Sequence, residues 1–361
     1  RVERASVTRA LVIVNALVFV LLAVMSMSPM QIPADLLIRV GGNFAPLVQK
    51  GEAWRFFTAL FLHGGLLHVA LNMFALHQAG QVVERLFGRW GFVAIYIVAG
   101  LLGNLASLWW KPGPVSVGAS GAIFGVYGAL LSYLLLQRGS VPGEIFREMR
   151  SGTLGFIGYS LFAGFTIPGI DNAAHLGGLV GGLVLGAAFA EPIIAARPVR
   201  WLAPRALAGL LAAALLGAGL WQTAPQVVRK FEIDSAYQQT VQRFALEEQE
   251  LVREQAALME ALRLRRITEA VALDKLEHDF IPRWDREITQ LSWRQAPGGQ
   301  EWQRDELVHY ATTRRDALKA LAQAFETRQT VWIERSRVLQ VQADNILLQM
   351  RLRKSMETAR P

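Results

Sequence analysis

Charged residues divide the first part of the chain into seven long uncharged, apolar stretches, at 10–34, 56–83, 90–110, 112–137, 151–170, 172–190 and 206–228. Each supplies the roughly 20 residues that cross a hydrocarbon core of about 30 Å, so the pattern predicts seven membrane-spanning helices. From about residue 226 the chain turns polar and rich in Gln, Glu and Arg. Val227, Phe231, Val241, Phe244, Leu251, Leu258 and Leu262 give an imperfect apolar stripe of helical period. Breaks at Pro282 and at Pro297-Gly298-Gly299 predict helices near 226–280, 283–295 and 300–355. The expected fold class is all-α: a polytopic membrane helix bundle with a six-span core (1–190), a cytoplasmic linker and a seventh span (191–225), and a soluble extracytoplasmic helical domain (226–361).

Composition agrees with this reading, since 52% of the 361 residues are hydrophobic. The first stretch exceeds a usual signal-peptide core and lacks a small-residue cleavage site, so it is expected to remain as an anchor. With the N-terminus inside, the cytoplasmic side receives Arg1, Arg4, Arg9, Arg85, Arg89, Arg138, Arg147, Arg150, Arg197, Arg200 and Arg205. The other side receives Arg39, Lys50, Arg55 and Lys111, and eleven against four favours that orientation. Trp90, Trp109, Trp110, Trp201 and Trp221 fall near span ends, as interfacial rings do. Residues 1–225 carry 15 Lys/Arg against 8 Asp/Glu, so membrane topology accounts for most of the net charge of +8 and no nucleic-acid footprint is expected. The absence of cysteine excludes disulfides, a Cys nucleophile and thiolate metal sites. The expected location is the bacterial inner (plasma) membrane, with the lipid bilayer as an obligatory partner.

Polar residues inside spans are costly and are usually paired or functional. His68 and Asn72 lie four apart on one helical face, whereas His63 is turned away by about 140°. Ser120 opens the run Gly118-Ala119-Ser120-Gly121-Ala122-Ile123-Phe124-Gly125, and His175 lies near the start of a later apolar helix. Singly, a membrane Ser can be a packing residue and a membrane His an interhelical hydrogen bonder. Together they combine a nucleophile, a base and two further donors. His63, His68, His77 and His175 lack the i, i+4 His pair of a helical zinc motif, so neither metal nor cofactor is expected. Asp171, four before His175, reads as a helix cap in preference to a third catalytic member. Ala122 replaces the last glycine of a Gly-x-Ser-x-Gly elbow.

In this order the residues resemble the rhomboid intramembrane serine proteases over roughly residues 9–190. Trp54-Arg55 is similar to the family's Trp-Arg pair, and His63, His68 and Asn72 to its His-x4-His-x3-Asn pattern. Gly118-Ala-Ser120-Gly121 is similar to its nucleophile motif, and Ala174-His175-Leu-Gly177 to its base motif. The resemblance implies a dyad in which Ser120 attacks and His175 takes the proton. It also implies an oxyanion site of His68, Asn72 and the Ser120 N–H, Phe124 against His175, and transmembrane proteins as substrates, cut near the outer face at helix-weakening or small residues. Gly80, Glu84 and Gly88 also resemble a family pattern, with a structural role. The alternative is an inactive rhomboid-like protein that escorts membrane clients, and the tail is a candidate partner-binding or substrate-screening region. No matching interrupted repeats suggest a transporter.

Gly121, Gly125 and Gly128 in the fourth span, with Gly177, Gly178, Gly181 and Gly182 in the sixth, are expected to let the two helices approach closely. Residues 29–57 are expected to form a long loop, which the resemblance implies is partly embedded and held by Trp54 and Arg55, and 168–172 a mobile cap over a hydrated site.

Overall fold

The computed structural model describes residues 5–110, 114–140, 142–167, 169–191 and 202–358. The protein is mostly α-helical, and its only β pairing among the described residues is an isolated antiparallel bridge between Asn43 and Ser116. Contacts divide the chain into two compact units, 1–228 and 229–361.

Helix α1 (Ser6–Ser26) is followed by three short helices, α2 (Ala34–Arg39), α3 (Ala45–Gln49) and α4 (Arg55–Thr58). Next come α5 (Leu66–Trp110), α6 (Ser120–Leu136), α7 (Gly143–Thr166), α8 (Asn172–Phe189) and α9 (Leu202–Thr223). Among the described residues, four helices are long and apolar enough to cross a membrane: Ser6–Ser26, Leu66–Trp109, Asn172–Phe189 and Ala203–Thr223. The 17-residue α6 is shorter but apolar all round, and most of its residues are buried. The outer surfaces of α1, α5 and α7 expose Leu17, Leu21, Val24, Leu71, Phe74, Phe162 and Phe165. So much exposed apolar surface suits lipid and would be a liability in water.

The second and third expected spans appear as two arms of α5 joined at Gly88, whose φ of 70° and ψ of 165° lie outside the helical region. Only glycine adopts such angles without strain, so this residue turns one arm into the next. Just before it, the Glu84 carboxylate accepts bonds from Val7 N (2.9 Å), Thr8 N (2.8 Å) and Thr8 Oγ1 (2.7 Å). These are donors at an α1 terminus that helical geometry leaves unpaired. Gly80, one turn away, leaves room for Thr8.

Two helix starts differ from expectation. Residues 56–65 are not part of the second span, because the chain makes a 3-10 turn at Ala59–Phe61 and then runs extended, with Ile32 N bonding Gly64 O (2.9 Å) and Leu66 N bonding Pro29 O (2.9 Å). The helix of the expected fourth span starts at Ser120, since Ser116 is held in the bridge, Ser116 N donating to Asn43 O (2.8 Å). The 29–57 loop is tied inward: Arg55 is buried, pairs with Glu52 (2.7 Å), donates to Ile38 O (2.5 Å) and Gly42 O (3.2 Å), and lies 4.7 Å from the Trp54 ring centre. Residues 192–201, with Arg197, Arg200 and Trp201 of the expected linker, lie outside the described residues, as do Arg1, Arg4, Lys111 and Pro168.

The second unit contains most of α10 (Val228–Arg263), then α11 (Glu269–Lys275), α12 (Ile281–Trp293), α13 (Glu301–Thr327) and α14 (Thr330–Thr358). Phe244, Trp284 and Tyr310 form its aromatic centre, with centroids 6.1–6.4 Å apart and rings edge to face or nearly so. Arg283 staples α12 to α10 through Glu247 (2.7 Å) and Glu254 (2.5 Å). The expected 226–280 helix ends at Arg263, after which Arg265 takes a left-handed φ of 55°. Pro282 is not a break: it sits in the first turn of α12 after a π-helical turn at Leu276–Phe280, where its missing N–H is tolerated. The expected 300–355 helix is instead a hairpin, divided at Arg328 (φ 57°).

Candidate active site

The site begins where the bridge ends. Gly118 N donates to Ala59 O (2.9 Å), and Gly118 adopts φ +132° with its open side toward α5. A methyl group there would lie 2.8 Å from His68 Nε2 and 3.7 Å from Asn72 Nδ2, so the absent side chain lets both approach the start of α6. Ser120 is the first residue of α6. A helix start carries partial positive charge and free N–H groups, which suit an anionic partner.

His68 and Asn72 share a face of α5, as their spacing requires. Asn72 is buried and its Nδ2 has no partner among the described residues, leaving a donor aimed at the Gly118 segment. Gly64 N bonds His68 Nδ1 at 3.4 Å, orienting that ring. The expected 140° offset of His63 does not apply, because His63 precedes the helix; its fully buried ring lies edge-on to His68, with centroids 5.1 Å apart. His77 faces outward and bonds Gln81 at 2.8 Å.

His175 stands one turn into α8 and is buried. Its imidazole stacks on the Phe124 ring, with centroids 4.2 Å apart and 11° between planes. Phe124 also meets Phe156 of α7 at 5.5 Å, and Phe156 stacks on Tyr127 at 3.8 Å. His175 Nδ1 is buried without a hydrogen-bond partner among the described residues. Asp171 is the N-cap of α8: one oxygen accepts Ala174 N at 3.0 Å, while the other accepts Ser116 Oγ at 2.8 Å and Ser107 Oγ. The carboxylate is therefore committed to capping α8 and tying it to α5 and the bridge segment. Sequence reading found the cap but not Ser107 or Ser116, whose spacing from Asp171 carries no local signal. The same holds for buried Asn43 and Asn104, which bond Asn104 O (2.9 Å) and Phe56 O (2.7 Å).

Glycines join the two halves. Gly178 lies against the Gly121 carbonyl and Gly182 against the Gly125 carbonyl, so α6 and α8 touch backbone to backbone. On its other side, α8 presents Gly177 and Gly181 to Leu102, Gly103 and Ala99 of α5. A methyl at Gly121 would lie 3.2 Å from Ala174 O. Ser120 and His175 thus each adjoin a residue of this direct contact. Small residues permit such approach in membranes, where dispersion and close packing replace hydrophobic expulsion.

These features define a polytopic helical membrane protein with a polar cluster between closely packed spans. Residues 50–192 match the Rhomboid domain. The chain is 40% identical over 158 residues to the rhomboid protease GluP of Bacillus subtilis, a stretch covering 44% of this chain and 30% of that protein. It is 39% identical over 150 residues to RHOMBOID-like protein 5 of Arabidopsis thaliana, covering 41% of this chain and 48% of the relative. It is 33% identical over 139 residues to the putative rhomboid protease YdcA of B. subtilis, covering 38% of this chain and 68% of that protein. The chain belongs to the rhomboid family. It spans less than half the length of the first two relatives.

Proposed function

We propose that this protein is an intramembrane serine endopeptidase that hydrolyses peptide bonds in or near transmembrane helices of other proteins. The observation that carries the reading is the meeting of the Ser120 end of α6 with His175, stacked on Phe124, beside the Asn72 Nδ2 donor that has no partner among the described residues. A serine hydroxyl is a weak nucleophile until a base takes its proton, and imidazole can do so near neutral pH. In the proposed cycle Ser120 Oγ attacks the carbonyl carbon as its proton passes to His175. The resulting oxyanion is held by Asn72 Nδ2, the His68 imidazole and the Ser120 N–H. Collapse breaks the C–N bond, and the proton on His175 goes to the leaving amine. Water then attacks the Ser120 ester, with His175 as base, and releases the acid.

Seven spans with the N-terminus in the cytoplasm complete this reading: α1, the two arms of α5, and α6 to α9. The basic-residue asymmetry supports it, as does the antiparallel contact of Glu84 with the start of α1. The domain limits 1–190, 191–225 and 226–361 follow, with the last outside the cytoplasm, where it could screen clients.

Cleavage of a reconstituted single-span protein by the intact enzyme, Ser120→Ala and His175→Ala tests the assignment. Loss in both variants is expected; equal cleavage by all three rejects it. Fluorophosphonate labelling of Ser120 distinguishes an enzyme from a client-escorting relative. Deleting 226–361 is expected to change which of several clients are cut; unchanged selectivity removes the screening role.

A further inference from the structure

A second polar assembly lies at the other end of α6. This 17-residue helix separates it from Ser120 by about 26 Å of helical rise. After Leu136 the chain makes a 3-10 turn at Arg138–Ser140 and enters α7 at Gly143. Phe146, in the second turn of α7, is buried in the core of the bundle. The Arg138 guanidinium lies 5.5 Å from its ring centre and that of Arg150 5.6 Å.

Two like charges are thereby gathered on one ring, with exposed Arg147 close by on α7. Each cation–π contact is favourable, and repulsion between the two cations opposes it. No carboxylate is in ion-pair range of Arg138, Arg147 or Arg150 among the described residues, although Glu144 and Glu148 are on the same helix. At about 100° per residue, Glu148 faces away from Arg150, and Glu144 is turned by about 120°. The cluster is a fork of guanidinium donors suited to an anion.

Its surroundings indicate the source of that anion. Leu135 and Leu136, just before the turn, are 62% and 56% exposed, and Ile145 on α7 is 49% exposed. Apolar side chains beside guanidiniums, where the apolar α6 meets a charged turn and the charged start of α7, match a molecule with a charged head and a hydrocarbon body. Guanidinium binds phosphate oxygens through paired N–H bonds. A zwitterionic headgroup would bring its own cation against three arginines.

We propose that Arg138 and Arg150, set by their common contact with Phe146, clamp the phosphate of an anionic phospholipid whose acyl chains lie along Leu135 and Leu136. The site is independent of the protease reading.

The test uses full-length protein in phosphatidylcholine nanodiscs containing a minor fraction of phosphatidylglycerol, with retained lipid counted by native mass spectrometry. Wild type is expected to enrich phosphatidylglycerol. Arg138→Gln/Arg150→Gln is expected to weaken its retention by about 25-fold, roughly fivefold per guanidinium, with phosphatidylcholine retention unchanged. Phe146→Leu, which keeps both charges and removes a buried ring, is expected to weaken phosphatidylglycerol retention severalfold with phosphatidylcholine retention unchanged, alongside a somewhat lower unfolding temperature. Arg85→Gln, elsewhere among the basic residues, is expected to have little effect. Wild-type retention in the double variant, or an equal loss in Arg85→Gln, overturns the proposal. Full displacement by soluble glycerol phosphate also overturns it, by showing a site for a free anion.

Discussion

The Phe124 ring lies face to face on the His175 imidazole, 4.2 Å between centroids and 11° between planes. The two residues belong to α6 and α8, whose glycines bring the backbones into contact. One ring face of His175 is thus occupied by a residue one turn beyond Ser120 on the same helix, so the stack links imidazole orientation to the helix that carries the hydroxyl.

Phe124 should therefore act as a positioning residue. Phe124→Ala is expected to lower kcat by about 10- to 100-fold, the scale of a misplacement near 1 Å, with a smaller change in KM. Phe124→Tyr, which keeps a ring, should recover most of the rate. Steady-state cleavage of a reconstituted client measures both, and an alanine variant with wild-type kcat rules the role out.

Asn72 offers a buried donor with no partner among the described residues, directed at the start of α6. Asn72→Ala should cost about 2.7–4 kcal/mol of transition-state stabilisation, read as a fall of about 10²–10³ in kcat. Fluorophosphonate labelling of the variant should slow as well. Undiminished turnover would mean that the amide does not face the developing charge.

Gly178 is a packing test. A methyl group there would meet the Gly121 carbonyl, so Gly178→Ala must push α8 away from α6. Overpacking typically costs about 1–3 kcal/mol. A lower unfolding temperature in detergent should accompany loss of cleavage, whereas Gly152→Ala, at an open position on α7, should leave both intact. Equal stability of the two variants would contradict the close approach.

In the second unit, burial pushes the Glu287 carboxyl above the usual range, aided by Glu247 and opposed by Arg243 and Arg286. Arg243 approaches it at 3.7 Å but is half exposed. Between the unfolded value and the raised folded one, the folded state binds more protons. Stability therefore falls as pH rises through that window and stays reduced above it. Glu287→Gln removes the penalty, so amide exchange in α12 of the intact protein should be slower than wild type at neutral pH. The two should converge below about pH 4, where the wild-type carboxyl is protonated in both states. Equal exchange at neutral pH would count against it.

The motif residues were legible in the sequence because a bilayer penalises unpaired polar groups: His68, Asn72, Ser120 and His175 stand out against apolar runs. The glycines of α6 and α8 were legible for a related reason, since membrane helices depend on close packing of small residues. The place of His63 was not legible. A helical wheel assumes that the helix continues, whereas the 29–32 segment pairs with 64–66 and holds His63 outside it. Arg328 gave no warning either, since a left-handed turn at a residue other than glycine follows from how α13 and α14 meet rather than from its own preference.

Sequence by itself determined the alternation of apolar spans with charged turns, the change to a polar helical tail, and the residue types assembled at the site, because these follow from hydropathy and from hydrogen bonding within single segments. Tertiary structure alone decided that Ser116 and Ser107 share the Asp171 oxygen, that Asn43 bridges to Ser116, and that two arginines converge on Phe146. The physical reason is separation along the chain: partners 55 to 64 residues apart, as Ser116 and Ser107 are from Asp171, leave no periodicity to read, and their meeting is fixed only once helices with small faces have packed.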